Sequence, residues 1–576
     1  MSGLRCLPAG DAGVLAEFDT LEDTLALFQV LGAWPAGVED VIPAARTLLV
    51  LFQPAVLSAR DVADWLKQRA QAQKRMADSG QDAARHPETV AVRRIEIPVR
   101  YNGQDLESVA ELLGLTRAEL IERHTGTDYI GAFAGFAPGF VYLAGGDPCF
   151  HGVPRLPAPR VRVPGSSVAI AGDFSAIYPS DSPGGWQLLG ETPWRMWDLN
   201  RAEPALIQPG FQVRFLDMEA PGTSYSLPSS ASGPVVAPDA VTSEQAVAPV
   251  QAGAKTEQGD SGQAQHQAVI EVRHPGVQTL FQDEGRPGLT HLGVSRSGAL
   301  DRTAMHRANR LVANPPETPV LEQALGGLKL VCHGKAVVAV VGALAPVIVT
   351  SASGMRLPAA ADHPITLNDG DELRIGHVRA GVRCYVAVRG GWEVAPVLGS
   401  TATDVLAGMG PAPLKKGDKI AVGSVASAKV QAKDDTLSVA ADTVQAAAEN
   451  LVPPQAGDQV VLDVMAGPRD DWFDSEALNR LVSQDWVVTP QSNRVGMRLA
   501  GEQPLVRSRQ GELPSEGVVA GSLQIPPSGQ PVLFLADHPL TGGYPVIAVV
   551  LAGQLDKLAQ VPVGVRLRFR CVESLL

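Results

Sequence analysis

The chain has 576 residues, with 48 Lys and Arg against 61 Asp and Glu, a formal net charge of −13. It is 45% hydrophobic and 19% charged, a globular composition too long for one core. The acidic balance and the lack of a basic block exclude nucleic acid and an anionic membrane surface as expected partners. Apolar runs are strand-sized and broken by Gly or Pro, so no membrane-crossing helix is expected. Five single cysteines, at 6, 149, 332, 384 and 571, show no CxxC or Cys/His spacing, so neither a disulfide framework nor a metal site is expected. The amino terminus lacks a basic-then-apolar signal pattern, which makes the cytoplasm the expected location.

With 58 Gly and 45 Pro, the chain favours short strands and frequent turns. Residues 1–90 read as a small α+β domain. Ala45–Leu51 reads as a buried strand, and Ser58 with Asp61 as a capping box opening a helix through Met76. Residues 91–220 read as a β-domain that begins with the alternating Val90–Tyr101. Two helices follow around Gly114–Thr116. Ala110, Gly114 and Leu120 match helix-turn-helix spacing, but Glu119 and Glu122 cancel Arg117 and Arg123, so a packing turn is expected rather than a DNA reader.

Residues 221–267 are Ser/Ala/Gly/Gln-rich and aperiodic, and read as a linker. The stretch 268–423 reads as a second β-domain, interrupted by a helix Asp301–Val312 with Asp301 as N-cap. A low-complexity insertion, 424–458, leads to a third β-domain, 459–576, with one helix at Ser475–Ser483. The expected class is mainly β, with closed barrels or sandwiches.

Two distant passages share one device. Val163-Pro164-Gly165-Ser166 is followed by Asp181 and then Gly184-Gly185-Trp186; Val519-Ala520-Gly521-Ser522 is followed by Asp537 and then Gly542-Gly543-Tyr544. Each is a Gly-Ser turn, an alternating strand and an Asp-containing loop ending in Gly-Gly-aromatic. The repeat suggests duplicated β-domains, each offering a similar wall to a ligand.

Other polar clusters carry chemistry. Gly135-Phe136-Ala137-Pro138-Gly139-Phe140 reads as an aromatic-lined turn, against the plainer reading of a packed loop. Arg155, Arg160 and Arg162 lie on a proline-stiffened segment suited to gripping a carboxylate or phosphate. Gly285-Arg286-Pro287-Gly288 leads to Ser295-Arg296-Ser297-Gly298 and a helix start, which reads as a helix-terminus anion site. No Walker loop occurs. Asn493, Arg494 and Arg498 crowd one Gly turn, and Ser515-Glu516-Gly517 precedes the Gly521 turn.

These segments resemble a known family. GFAPGFVYL, PRVRVPGSSVAIAG and SPGGWQLLGETP are similar to allophanate hydrolase subunit 1, and GRPGLTHLGVSRSGALD, ANRLVAN, SNRVGMRLAG and SEGVVAGSLQIPPSGQPVLFLADHPLTGGYP to subunit 2. The resemblance implies duplicated cyclophilin-like β-barrels with a small α+β domain ahead of the first. It implies the fused B and C subunits of an ATP-dependent 5-oxoprolinase, which opens the lactam of 5-oxoproline with a separate A subunit of the LamB/YcsF type; ATP, with Mg, is the implied cofactor. The alternatives are a urea-carboxylase-like carboxyltransferase and a histidine-kinase-inhibiting binding protein. No Met-Lys or Lys-Met pair occurs, so biotin is not expected on this chain. Within this chemistry, Arg160, Arg162, Arg494 and Arg498 suit the anionic groups and the Gly184–Gly185 and Gly542–Gly543 amides suit an oxyanion. Asp181, Asp537 and Glu516 suit a base, and Asn493 suits orientation of the substrate. Ser166, Ser295, Ser297, Gly298, Gln524 and Tyr544 are further expected contacts, with Phe136, Pro138 and Phe140 lining the loop. Val495 stands where the family more often has Met, and His538-Pro539 where it has an Arg/Gln-type pair, which changes the charge of that loop.

Overall fold

The computed structural model describes residues 4–78, 93–158, 160–223, 225, 268–423 and 452–572. Of the expected linker 221–267 only 221–223 and 225 are described, and of the expected insertion 424–458 only 452–458. The protein is mostly β, with barrel-like sheets. Among the described residues no helix is long and apolar enough to cross a membrane.

The amino-terminal sheet is antiparallel, with strands in the order Arg5–Pro8, Gly13–Glu17, Thr47–Phe52, Val38–Pro43. Alternation gives it two apolar faces. Val14, Ala16 and Val50 meet Leu27 and Leu66 of the helices Leu21–Val30 and Ala59–Asp78. Leu15, Ile42 and Leu49 point the other way and pack with Leu540, about five hundred residues on in sequence. The capping box forms as expected: Asp61 N–H donates to Ser58 Oγ at 3.2 Å, and Ser58 N–H to the Asp61 carboxylate at 3.1 Å. The strand read as Ala45–Leu51 starts at Thr47, because Ala44 N–H donates to Thr47 O and makes the preceding residues a turn.

The next domain is a ring of strands: Gln187–Glu191, Ser167–Ala171, Phe174–Ile177, Val141–Gly145, Asp128–Ala134, Gln212–Asp217 and Arg94–Val99. Reciprocal bonds between Arg100 and Glu191, 2.8 and 3.0 Å, join its two edges. The helices Leu106–Leu113 and Arg117–Gly126 turn at Gly114, whose φ of 66° suits glycine. They send Leu106, Val109, Ala110 and Leu120 into the barrel core, which is a packing role.

The last domain is a closed barrel of Gln459–Ala466, Val546–Val550, Ser522–Gln524, Val532–Phe534, Gly496–Ala500, Trp486–Val488 and Arg566–Cys571. Taken by chain position, its strands follow the same cyclic order as those of the first barrel. In both, the first and last strands are the parallel pair. Each barrel also carries a separate two-stranded ribbon, Arg160–Val163 with Ser182–Gly184 in one and Glu516–Gly517 with Thr541–Gly542 in the other. Gly184 lies opposite Arg160 and Gly542 opposite Glu516. The repeated sequence device is therefore this ribbon and its turn.

Between the barrels in sequence, residues 268–423 form a six-stranded and a five-stranded sheet over one core that includes Ile270, Leu330, Val340 and Val386. Helix Arg302–Leu311 packs Met305 and Ala308 against Val341 and Tyr385, and the Asp301 side chain caps it through Ala304 N–H.

Candidate functional site

The structure brings the expected residues together in four places. The first is the junction of the two barrels. Phe136, with φ 63°, donates its N–H to Thr541 Oγ1 at 3.1 Å, and Tyr142 Oη lies 3.2 Å from Ser515 Oγ. Arg155 reaches Ser515 Oγ at 3.4 Å, and its N–H donates to Glu512. A side chain on Gly543 would strike the Arg155 guanidinium. Phe140, Tyr142, Tyr178 and Trp186 stack edge to face behind this seam, and Pro138 is buried in it. Gly139 N–H donates to Leu292 O, so the aromatic turn is wedged against both later domains and is a packed loop. Gln524 donates to Tyr544 O at 3.1 Å, and Arg507 covers the Tyr544 ring. Beneath lies Glu516, 1% exposed, one oxygen bound by Arg469 at 2.7 Å and the other without a partner among the described residues. Burial pushes its carboxyl up to about 7, against the pull of Arg469.

The second place is a buried charge network between the two later domains. Arg494 donates twice to Asp537, at 3.0 and 2.9 Å, to Gly298 O at 2.6 Å and to Glu322. Asp537 also accepts from Ser297 Oγ at 2.6 Å and from Val405 N–H at 3.0 Å. Glu322 accepts from Tyr385 Oη at 2.9 Å and from Leu300 N–H. Burial opposes ionisation of Glu322, but Arg494 and Arg383 outweigh it and hold the carboxyl below its ordinary range. Ser295 Oγ donates to Asp404, whose carboxyl is raised by burial and then by the charge of Asp537. Ser295, Ser297, Gly298, Arg494 and Asp537 thus satisfy one another and face inward. Chemically this is a clasp between domains.

The helix-terminus anion site read at Ser295–Asp301 needs correcting. The free N–H groups of Arg302 and Thr303 are taken by Asp556, at 3.2 and 3.1 Å, and that of Ala304 by Asp301 at 2.8 Å. The anion at this helix end is the protein's own carboxylate, brought from the last barrel.

The third place is the surface of the first barrel. Arg162 pairs with Asp181 at 2.7 Å, both exposed, and Asp181 accepts from Gly165 N–H at 2.9 Å. Arg160 turns inward to Asp105 at 2.6 Å and to Trp186 O at 3.2 Å. Ser166 has φ 68° and donates to Trp194 O; Gly185 O accepts from Leu156 N–H. Gly184 has no room for a side chain, because one would lie 2.3 Å from Tyr178 Oη. The fourth place is the exposed turn of Asn493, whose Oδ1 accepts from Val495 N–H at 2.9 Å and Gly496 N–H at 3.3 Å; Arg498 is exposed beside it.

A cavity of about 340 Å³ lies where the amino-terminal domain, the middle domain and the last barrel meet. Gly10–Ala12, Glu39, Asp40 and Ile42 form one wall, Arg296, Ser297 and Arg302 another, and Val519, Ala520, Phe534 and Ala536 a third. The second copy of the repeated device thus lines it, with Asp537 holding Ser297 from behind. His538 lies against it, kept neutral by burial. Burial also raises the Asp40 carboxyl, which accepts from Thr290 Oγ1 at 2.8 Å. Sequence reasoning singled out the 285–301 segment but not Arg296 or Arg302 themselves, and it missed the amino-terminal wall. The available signal was three arginines, 286, 296 and 302, set among Gly-rich turns.

Duplicated barrels of one strand order, each carrying a matching ribbon, define the class. The chain belongs to the carboxyltransferase-domain family: the family model for subdomains C and D matches residues 4–207 and that for subdomains A and B residues 292–571. Its carboxyl-terminal half is 33% identical to the C subunit of 5-oxoprolinase from Escherichia coli strain K12 over 307 residues, 52% of this chain and 90% of that protein. Its amino-terminal half is 34% identical to the B subunit of 5-oxoprolinase from Escherichia coli O157:H7, covering 38% of this chain and 97% of that protein. Urea amidolyase of Lachancea kluyveri is 32% identical over 52% of this chain, but that match spans only 17% of its own length. Among solved structures, TTHA0988 aligns over 97% of this chain and 99% of its own, with 31% identity and a TM-score of 0.72. Fused B and C halves are therefore the architecture of this chain.

Proposed function

We propose that this chain is the B–C component of an ATP-dependent 5-oxoprolinase, opening the lactam of 5-oxoproline to L-glutamate together with a separate A subunit. The observation that carries the reading is the order of its halves. A half resembling the B subunit, nearly complete against its relative, is followed by a half resembling the C subunit, nearly complete against its own. The match to urea amidolyase takes in a small part of that protein.

The cavity of about 340 Å³ is at the small end of ligand pockets. In this reading the nucleotide sits on the A subunit. The division of labour among the candidates follows from exposure. Arg494, Asp537 and Ser297 hold domains together, whereas Asn493, Arg498 and the Arg162–Asp181 pair face outward and are free to meet a partner.

The test is reconstitution. ATP-dependent release of glutamate from 5-oxoproline is expected with the A subunit present and not with this chain alone. Robust turnover by the chain alone would refute the dependence on a partner. Carboxylation of urea by an added carboxybiotin carrier, without lactam opening, would move the function to a carboxyltransferase.

A further inference from the structure

We propose that the three-domain cavity is a binding site for a small monocarboxylate with a compact, apolar-edged ring, and that Arg302 is its carboxylate-recognising residue. The inference rests on the 5-oxoprolinase reading only for the choice of ligand within that class; the site itself rests on geometry.

The cavity, about 340 Å³, is walled mainly by Ile42, Phe52, Val519, Phe534, Leu540 and Val549. The methylene edge of such a ring buries its surface there, while any ring amide must turn toward the polar lining. Its polar lining comprises the arginines 286, 296 and 302 of the middle domain and the carboxylates of Asp11, Glu39, Asp40 and Asp556. Arg286 is spent on the carbonyls of Val397, Ser400 and Ala402. Arg296 is engaged: it donates to Glu284 O at 3.2 Å and to Glu39 at 3.3 Å. Arg302 is not. Its nearest carboxylate oxygen is on Glu284, 3.8 Å away, and none of its guanidinium N–H groups makes a hydrogen bond among the described residues. Burial, then the like charge of Arg296, make its protonated form less comfortable than an ordinary arginine's.

An arginine that is half-buried, beside a second arginine and without hydrogen bonds, lacks what a carboxylate supplies: a planar acceptor pair for its fork. The backbone of Arg302 is anchored, because its N–H donates to Asp556 at 3.2 Å across the domain boundary. The same wall is fixed further along, since Ser297 is bound to Asp537. Glu284, which also binds His306, occupies the space between the two arginines and is the group a ligand carboxylate must supplement or displace.

The experiment is isothermal titration of the full-length chain with L-5-oxoproline and with 2-pyrrolidinone, the same lactam without its carboxylate. L-5-oxoproline is expected to bind and 2-pyrrolidinone to bind at least about tenfold more weakly. Arg302→Ala is expected to lose about tenfold or more in affinity, and Arg302→Lys to recover only part of it. If Arg302→Ala does not fold, the Lys variant carries the test, with a several-fold loss still expected. Equal affinity for the two lactams, or an unchanged affinity in the Arg302 variants, overturns the site. Reconstitution with the A subunit separates the two readings. Carboxylate binding that depends on Arg302 without lactam opening keeps the site and sinks the proposed function. Lactam opening with an unmoved KM in Arg302→Ala does the reverse.

Discussion

Arg494 and Asp537 hold each other through two parallel hydrogen bonds, 3.0 and 2.9 Å long, with both side chains almost wholly out of solvent. The pair joins the last barrel to the middle domain, because Arg494 also binds Glu322 and Gly298 O, and Asp537 binds Ser297.

Removing one partner leaves the others as uncompensated buried charges. Arg494→Met is expected to destabilise the chain by about 3–5 kcal/mol. Chemical denaturation followed by tryptophan fluorescence checks this, since Trp472 and Trp486 lie in the barrel that would loosen. A variant as stable as wild type would show that the network contributes nothing to holding the domains.

Glu516 gives stability an unusual pH dependence. Its folded carboxyl is raised to about 7 from an ordinary 4.5, so the folded state holds a proton that the unfolded state has released. This contribution is present below about pH 4.5 and is lost as pH rises through about 7. Glu516→Gln keeps a neutral side chain at every pH. The stability difference between variant and wild type is expected to grow in the variant's favour across that window, by on the order of 3 kcal/mol. Asp301, raised to about 6 by burial, acts in the same direction in both proteins and cancels in the difference. Melting temperatures from pH 4 to pH 8 read this directly; parallel curves would place the Glu516 proton elsewhere.

The barrel seam discriminates between two glycines. A methyl on Gly135 would lie 2.4 Å from Oγ1 and 2.7 Å from Cγ2 of buried Thr541, whereas one on Gly543 would meet only the end of the Arg155 side chain. Gly135→Ala is therefore expected to cost about 1–3 kcal/mol by overpacking, and Gly543→Ala much less. Thermal melts of the two variants side by side suffice, and the reverse order would contradict the seam.

Asn493 can be tested without disturbing its turn. Asn493→Asp keeps the oxygen that accepts from Val495 and Gly496 and loses the amide donor. If that donor orients substrate, turnover in the reconstituted system is expected to fall about 10²-fold or more with little change in melting temperature. Undiminished turnover would leave Asn493 as a turn residue only.

The sequence by itself determined much of this protein. Local signals act through nearby backbone, so the Ser58–Asp61 box, the Gly114 turn and the Asp301 cap were readable from residues three or four apart. The repeated Gly-Ser and Gly-Gly-aromatic device was readable too, because both copies serve one strand order and one ribbon. What the device does was decided only by packing. Asp181 and Asp537 occupy the same place in the motif, yet one lies on the surface with Arg162 and the other is buried with Arg494. Asp556 filling a helix end more than two hundred and fifty residues away, and a cavity walled by three domains, depend on which surfaces meet. No local pattern encodes that choice: it is set by burial of apolar faces such as Leu15, Ile42 and Leu49 against Leu540, and side-chain charge finds its partner only once those faces are in place.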